Sequence, residues 1–372
     1  MPKPIIIQQD LEFPVYGISF NSEDVLFVGG GGGANRSGVS FELKGDCLTQ
    51  LNSLNLSEKE DCPMSIACHP QLPLLAVEYL MLQTSKDYSV KKLNTKKEKS
   101  KDVAEYQKVT RYSRSGNYLV TAFSDGRVSI LNTKNGTLLF PSFQFKDVQD
   151  VDFDAKEEYV VIATLKEVTV ISLQEKGIIV QVIDSPRLNR QSVCQIRAVR
   201  YATFEGQETL YAIINSTSKG HAFICAWKLS QQRKYPVTKP KTVGICRKNV
   251  TCFSVSPVGD LLAFASNDLS VSLLDAQKYK PLLKVNQIHG FAITDLTFNH
   301  SGKYLATAGA DNLCKVIRLD INKKLDMREI FYRVIYGILS ILLFVLLMHL
   351  TGQIFGQFES HPNIKDDLHY FY

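Results

Sequence analysis

Three features of the sequence predict the fold class: a pattern of apolar strand, turn, strand, turn and strand that returns seven times, Gly- and Asp-containing turn residues at its joints, and one late apolar run. Together they predict an all-β protein, a seven-bladed WD-repeat-like β-propeller followed by one C-terminal transmembrane helix. The composition agrees. Of 372 residues 45% are hydrophobic and 22% charged, a globular balance.

The clearest copies of the repeat run from Val109 to Leu131, Val250 to Leu274 and Ile293 to Leu319. Weaker copies start near Pro14, Pro63, Val148 and Ile196, so that successive starts lie 39 to 54 residues apart. Ser115-Gly116-Asn117, Val258-Gly259-Asp260 and Ser301-Gly302-Lys303 supply the first turn of the clear copies. Ser124-Asp125-Gly126 and Ala310-Asp311-Asn312 supply the second turn in two of them. Asp125, Asp268 and Asp311 therefore read as tight-turn acceptors, not catalytic acids. The Trp-Asp ending of WD repeats is absent, since the only tryptophan, Trp227, precedes Lys228. The last copy has no room for a fourth strand before the basic stretch that follows Leu319. The β-rich run Pro4 to Gln9 stands before the first copy and is expected to complete the last blade and close the ring.

The membrane element is expected at 334–352, where Val334 to Leu350 is apolar or small apart from Tyr336, Ser340 and His349. About 20 helical residues cross a ~30 Å hydrocarbon core. Lys315, Arg318, Lys323, Lys324, Arg328 and Arg333 precede it, and only Lys365 follows, beside Asp366 and Asp367. The positive-inside rule keeps the preceding part cytosolic, a single-pass type II arrangement. The expected organisation is a propeller at 1–320, a basic connector at 321–333, the span at 334–352 and a short luminal tail at 353–372. No apolar core of a secretory signal stands at the front. The six Asn-x-Ser/Thr triplets, at Asn35, Asn55, Asn135, Asn215, Asn249 and Asn299, all precede the span and are expected to stay unglycosylated.

A net charge of +6 gives no argument for nucleic-acid binding, and no small-molecule substrate is expected. Lys86 to Lys108 is lysine-rich and reads as a solvated connection or a contact with an anionic leaflet. Arg187, Arg190 and Arg197 read as a second basic connection, solvated or in contact with an acidic partner. The eight cysteines contain no CxxC pair and read as buried, reduced thiols. No Ser-His-Asp or metal-ligand constellation stands out.

One segment departs from the repeat. Gly29 to Gly33 are five consecutive glycines, followed by Ala34, Asn35, Arg36, Ser37, Gly38 and Val39, where the other copies need only a tight turn. Glycines permit positive φ and close backbone approach, so their amides could hold an anion or their carbonyls a cation. No Gly-Lys-Ser/Thr follows, which excludes a P-loop. No helix starts there, which excludes a dinucleotide fingerprint. The plain alternative is a flexible solvated loop.

With its degenerate repeats, its Gly-rich loop in the first blade and its C-terminal anchor, the chain resembles the Sec-twelve family, known in animals as the prolactin regulatory element-binding protein family. These are ER-membrane exchange factors for the Sar small GTPase. The resemblance implies a guanine nucleotide exchange factor that promotes GDP release from a Sar-type GTPase and starts COPII assembly for ER-to-Golgi transport, without bond-making chemistry. It implies a GTPase-engaging loop of Gly30, Gly31, Gly32, Gly33, Ala34, Asn35, Arg36, Ser37, Gly38 and Val39. A potassium ion is implied at Gly31, Gly32 and Asn35, and an apolar partner contact at Val39. The alternative is an ER-anchored scaffold or an exchange-inactive paralogue.

Overall fold

The computed structural model describes residues 4–320 apart from 33–34, 45–46, 57–62, 78–79, 85–89, 93–105, 187–192, 218–219, 231–234 and 236–238. It also describes 335–337, 339–340 and 343. The chain divides into two compact units, Met1–Asp320 and Ile321–Tyr372.

The first unit is an all-β propeller. Its strands pair antiparallel into seven sheets, each built outward from an innermost strand. The innermost strands are Val15–Phe20, Ile66–Cys68, Gln107–Tyr112, Val148–Phe153, Cys194–Phe204, Val250–Val255 and Ile293–Phe298. Five sheets repeat one four-stranded design, and the third splits its outer edge into Thr137–Leu138 and Phe143–Gln144. The second is reduced, with strands of three to five residues. Second strands such as Leu261–Ser266 are buried along their whole length, because both faces are covered by neighbouring sheets.

Polar side chains stitch each sheet to the next. Cys68 N donates to Ser19 Oγ at 3.0 Å, Thr110 N to Ser65 Oγ at 2.9 Å and Arg111 Nε to the Val151 carbonyl at 2.8 Å. Tyr201 N donates to Asp152 Oδ2 at 2.7 Å and Val250 N to Asn215 Oδ1 at 3.0 Å. Cys252 Sγ reaches the Ile293 carbonyl at 3.4 Å, and Ile18 N closes the circle on Asp295 Oδ2 at 3.1 Å. These bonds occupy backbone groups that inter-sheet packing removes from water.

The final sheet is completed by the earliest strand of the chain. Ile6–Asp10 pairs antiparallel with Leu313–Arg318, with Ile7 opposite Val316. The closure expected of Pro4 to Gln9 is borne out, shifted slightly along the chain. Asp125, Asp268 and Asp311 accept from the amides of Arg127, Ser270 and Leu313, so all three are turn acceptors. The seven described cysteines are free thiols.

Among the described residues no helix is long and apolar enough to cross a membrane. Of the expected span at 334–352, residues 335–337, 339–340 and 343 are helical, and the rest lie outside the described residues. The connector 321–333 and the tail 353–372 also lie outside them, as do Arg187, Arg190 and most of the Lys86 to Lys108 stretch.

Candidate functional site

The glycine segment is not a loop. Val25–Gly32 and Asn35–Lys44 form one continuous antiparallel hairpin, with Val28 opposite Val39, Gly30 opposite Ser37 and Gly32 opposite Asn35. The outer strand Cys47–Leu56 follows it, pairing as far as Arg36 with Leu56. The residues inserted relative to other copies thus lengthen a three-stranded ladder. Gly33 and Ala34, expected in the GTPase-engaging loop, lie outside the described residues between the two strands.

Packing accounts for three of the glycines. A Cβ on Gly29 would overlap the Ile66 side chain of the second sheet, and one on Gly30 would overlap the Pro14 carbonyl. That carbonyl accepts from Gly31 N at 2.8 Å. Gly31 has φ of 123°, a conformation that favours glycine. The glycine run therefore lets a strand pass close to its neighbours on both sides.

Val39 corrects an expectation. It is 8% exposed and packs with Leu26, Val28, Phe41 and Leu48 in the core cluster shared by the first and last sheets. A side chain on this face of the strand serves the core and is not presented to a partner. Gly38 and Ser37 stand in register opposite Gly29 and Gly30.

The described backbone fits potassium poorly. From Gly29 to Gly32 and from Asn35 to Gly38 it is committed to pairing between strands, not open as a ring of carbonyls. An ion at Gly31, Gly32 and Asn35 would need ligands from 33–34. Among the described residues no group of three or more His, Cys, Asp or Glu could hold a metal.

Two constellations that sequence reading missed emerge elsewhere. His289 Nδ1 bonds Asp311 Oδ1 at 2.9 Å, and its Nε2 bonds Thr307 Oγ1 at 2.8 Å. The order resembles a hydrolytic triad, but His289 is 2% exposed and Thr307 fully buried, so no substrate reaches the hydroxyl. Burial lowers the His289 pKa, against the pull of Asp311, and the network braces the last sheet.

The second lies in the central channel, a cavity of about 650 Å³. Arg111 approaches Asp150 at 3.3 Å and Asp152 at 3.5 Å, while Arg200 pairs with the other oxygen of Asp150. Asp295 faces the same arginines. Its burial outweighs the amides of Ile18 and Leu296 and pushes its carboxyl up to about 6. No motif announced this cluster, because ring closure alone brings its members together.

Residues 281–318 match the WD domain, G-beta repeat family. SED4 of Candida glabrata is 21% identical over 386 residues, covering 96% of this chain and 36% of the relative. SED4 of Saccharomyces cerevisiae is 24% identical over 371 residues, covering 93% and 33%. The guanine nucleotide-exchange factor SEC12 of Candida glabrata is 22% identical over 386 residues, covering 96% and 81%. The chain thus spans about a third of the length of the SED4 proteins it matches and most of that SEC12.

Proposed function

The chain belongs to the family of SEC12 and SED4 proteins, and from that membership we propose that it promotes GDP release from a Sar-type small GTPase. In this reading it acts at the ER membrane, held there by residues 334–352 with the propeller in the cytosol, and it starts COPII assembly. The observation that carries the proposal is the lengthened glycine hairpin, which extends the first sheet beyond the turn the other copies use.

Exchange needs no bond-making group. A GTPase holds its nucleotide through ordered switch segments and magnesium. A rigid surface that binds displaced switches better than nucleotide-bound ones shifts the equilibrium toward release. The propeller supplies rigidity through its inter-sheet stitches, and the hairpin supplies a ladder longer than the innermost strand beside it. Tethering to the membrane raises the local concentration of a GTPase associated with the same bilayer.

A scaffold without exchange activity is the second reading. It is favoured by the burial of Val39 and by the packing demands that account for Gly29 and Gly30.

GDP release from a Sar-type GTPase, measured with the full chain in detergent and in potassium or sodium buffer, separates the readings. Acceleration that falls at least about tenfold (roughly 1.4 kcal/mol) in Asn35→Ala is expected from the exchange factor. Only a potassium dependence that Asn35→Ala abolishes would point to an ion at the hairpin, with ligands added from 33–34. A folded chain that binds the GTPase without speeding release leaves the scaffold. Val39→Ala is unsuitable as a probe, since it opens the core.

A further inference from the structure

Six of the seven innermost strands carry a bulge near their first residue. The register shifts fall between Val15 and Gly17, Gln107 and Val109, Val148 and Asp150, Ile196 and Ala198, Val250 and Cys252, and Ile293 and Asp295. The extra residues are Tyr16, Lys108, Gln149, Arg197, Thr251 and Thr294, and all six line the central channel. A bulge frees one residue from the ladder and re-aims its side chain. Here it repeats round the ring at one level, the end of the channel where Val15 pairs with Gly30 of the glycine hairpin.

The six form a ring with an unbalanced chemistry. All are polar, two are cations and none is an acid. Lys108 Nζ donates to the Val148 carbonyl at 2.7 Å, and Thr294 Oγ1 to the Val15 carbonyl at 2.7 Å. These two side chains thus reach across to the start of the neighbouring sheet. Among the described residues no carboxylate forms an ion pair with Lys108 or Arg197. Of the two carboxylates that act on Lys108, Asp150 is held deeper by Arg111 and Arg200, and Asp147 sits on an exposed turn. Burial and then the Arg197 guanidinium lower the Lys108 ammonium pKa, so the two cations repel within one recess. Holding them together costs free energy that an anion between them would return.

We propose that the bulge ring at this mouth of the channel is an anion site that takes a compact polyphosphate group between Lys108 and Arg197. The recess belongs to the central channel and bears two cations of different shape. A planar guanidinium and a compact ammonium together suit several phosphate oxygens better than one carboxylate. Gln149, Thr251 and Tyr16 add neutral polar groups round the same opening. The inference is independent of nucleotide exchange.

Calorimetric titration of the full chain in detergent tests it, with inositol hexakisphosphate and a water-soluble short-chain phosphoinositide as probes. Binding is expected to weaken about tenfold or more in Lys108→Gln and in Arg197→Gln, as loss of one charge-assisted contact requires. It should persist in Arg197→Lys and be unchanged in Arg114→Gln, an exposed cation lining the same cavity. The tighter probe tells a free polyphosphate from a lipid headgroup. Far-ultraviolet circular dichroism and thermal unfolding establish that each variant folds. Binding of neither probe overturns the proposal. So does binding that Arg114→Gln weakens as much, which marks an adventitious ion only, or binding of a polyglutamate peptide in place of both probes.

Discussion

At Gly30 the lack of a Cβ lets the first sheet lie against the Pro14 carbonyl without overlap. Gly30→Ala would drive a methyl group into the Pro14 carbonyl, which cannot retreat without breaking its bond to Gly31 N. A loss of about 2–3 kcal/mol is expected in urea unfolding, the scale of overpacking against rigid backbone. Gly244→Ala is the contrast. Its Cβ would meet the Phe223 ring at an ordinary 3.6 Å, and a cost below about 1 kcal/mol is expected. Two buried acids set a second expectation. Burial raises Asp154 and Asp295 from 3.8 to about 6 each. Between pH ~4 and ~6 the native state keeps protons that the unfolded chain has released, so their contribution to stability falls as pH rises. At Asp268 the hydroxyls of Ser266 and Ser270 and the charge of Lys284 outweigh burial and hold the carboxyl at about 2. Its contribution is present above pH ~4 and lost as pH falls toward 2. The two acids should therefore pull the urea midpoint down from pH 4.5 to 5.5, below the range in which buried His289, its pKa lowered, adds stability as pH rises, and Asp295→Asn should flatten that decline. An unchanged slope in Asp295→Asn would show that this carboxyl is not a source of it.

Among the elements, what could be read from the sequence was whatever repeats locally. Ser115-Gly116-Asn117 and its counterparts announced turns because positive φ and short side chains are properties of those residues alone. The β-rich run ahead of the first copy announced a closing strand because it had no partner within its own repeat. The glycine hairpin escaped the same logic. Five glycines read as a flexible loop by composition, whereas in place Pro14 and Ile66 leave no room for a Cβ, and the opposing strand supplies the order glycine lacks. Val39 was misjudged for a related reason. Its strand alternates, and only the register with Val28 reveals which face it joins. The channel residues were illegible because a bulge adds one residue to one strand, a shift that period-two patterning cannot show. Arg111, Asp150, Arg200 and Asp295 are also distant in the chain and meet only round the ring.

For the whole molecule, stability is circular. Each sheet is bound to the next by a side chain that accepts or donates across the interface, and the last is bound to the first by Asp295 and Ile18. Removing residues 1–10 would strip the outer strand from the final sheet and expose the edge of Leu313–Arg318. Hydrogen exchange at Cys314, Val316 and Arg318, whose amides face the removed strand, is expected to accelerate about a hundredfold or more, roughly 3 kcal/mol of lost protection. Sheets on the opposite side, such as that starting at Val148, should respond less. Uniform acceleration everywhere would instead mean that the ring opens as one cooperative unit.

The pairing of Ile6–Asp10 with Leu313–Arg318 also sets a clock on biosynthesis. The earliest strand leaves the ribosome with its partner some 300 residues from being made. At ~5–20 residues per second the wait is on the order of tens of seconds. Throughout it an isoleucine-rich segment, and the growing edge of an unfinished ring, remain open to wrong partners. A chaperone that shields this first strand until residue 318 emerges would govern the yield of folded protein more than any contact within the finished ring.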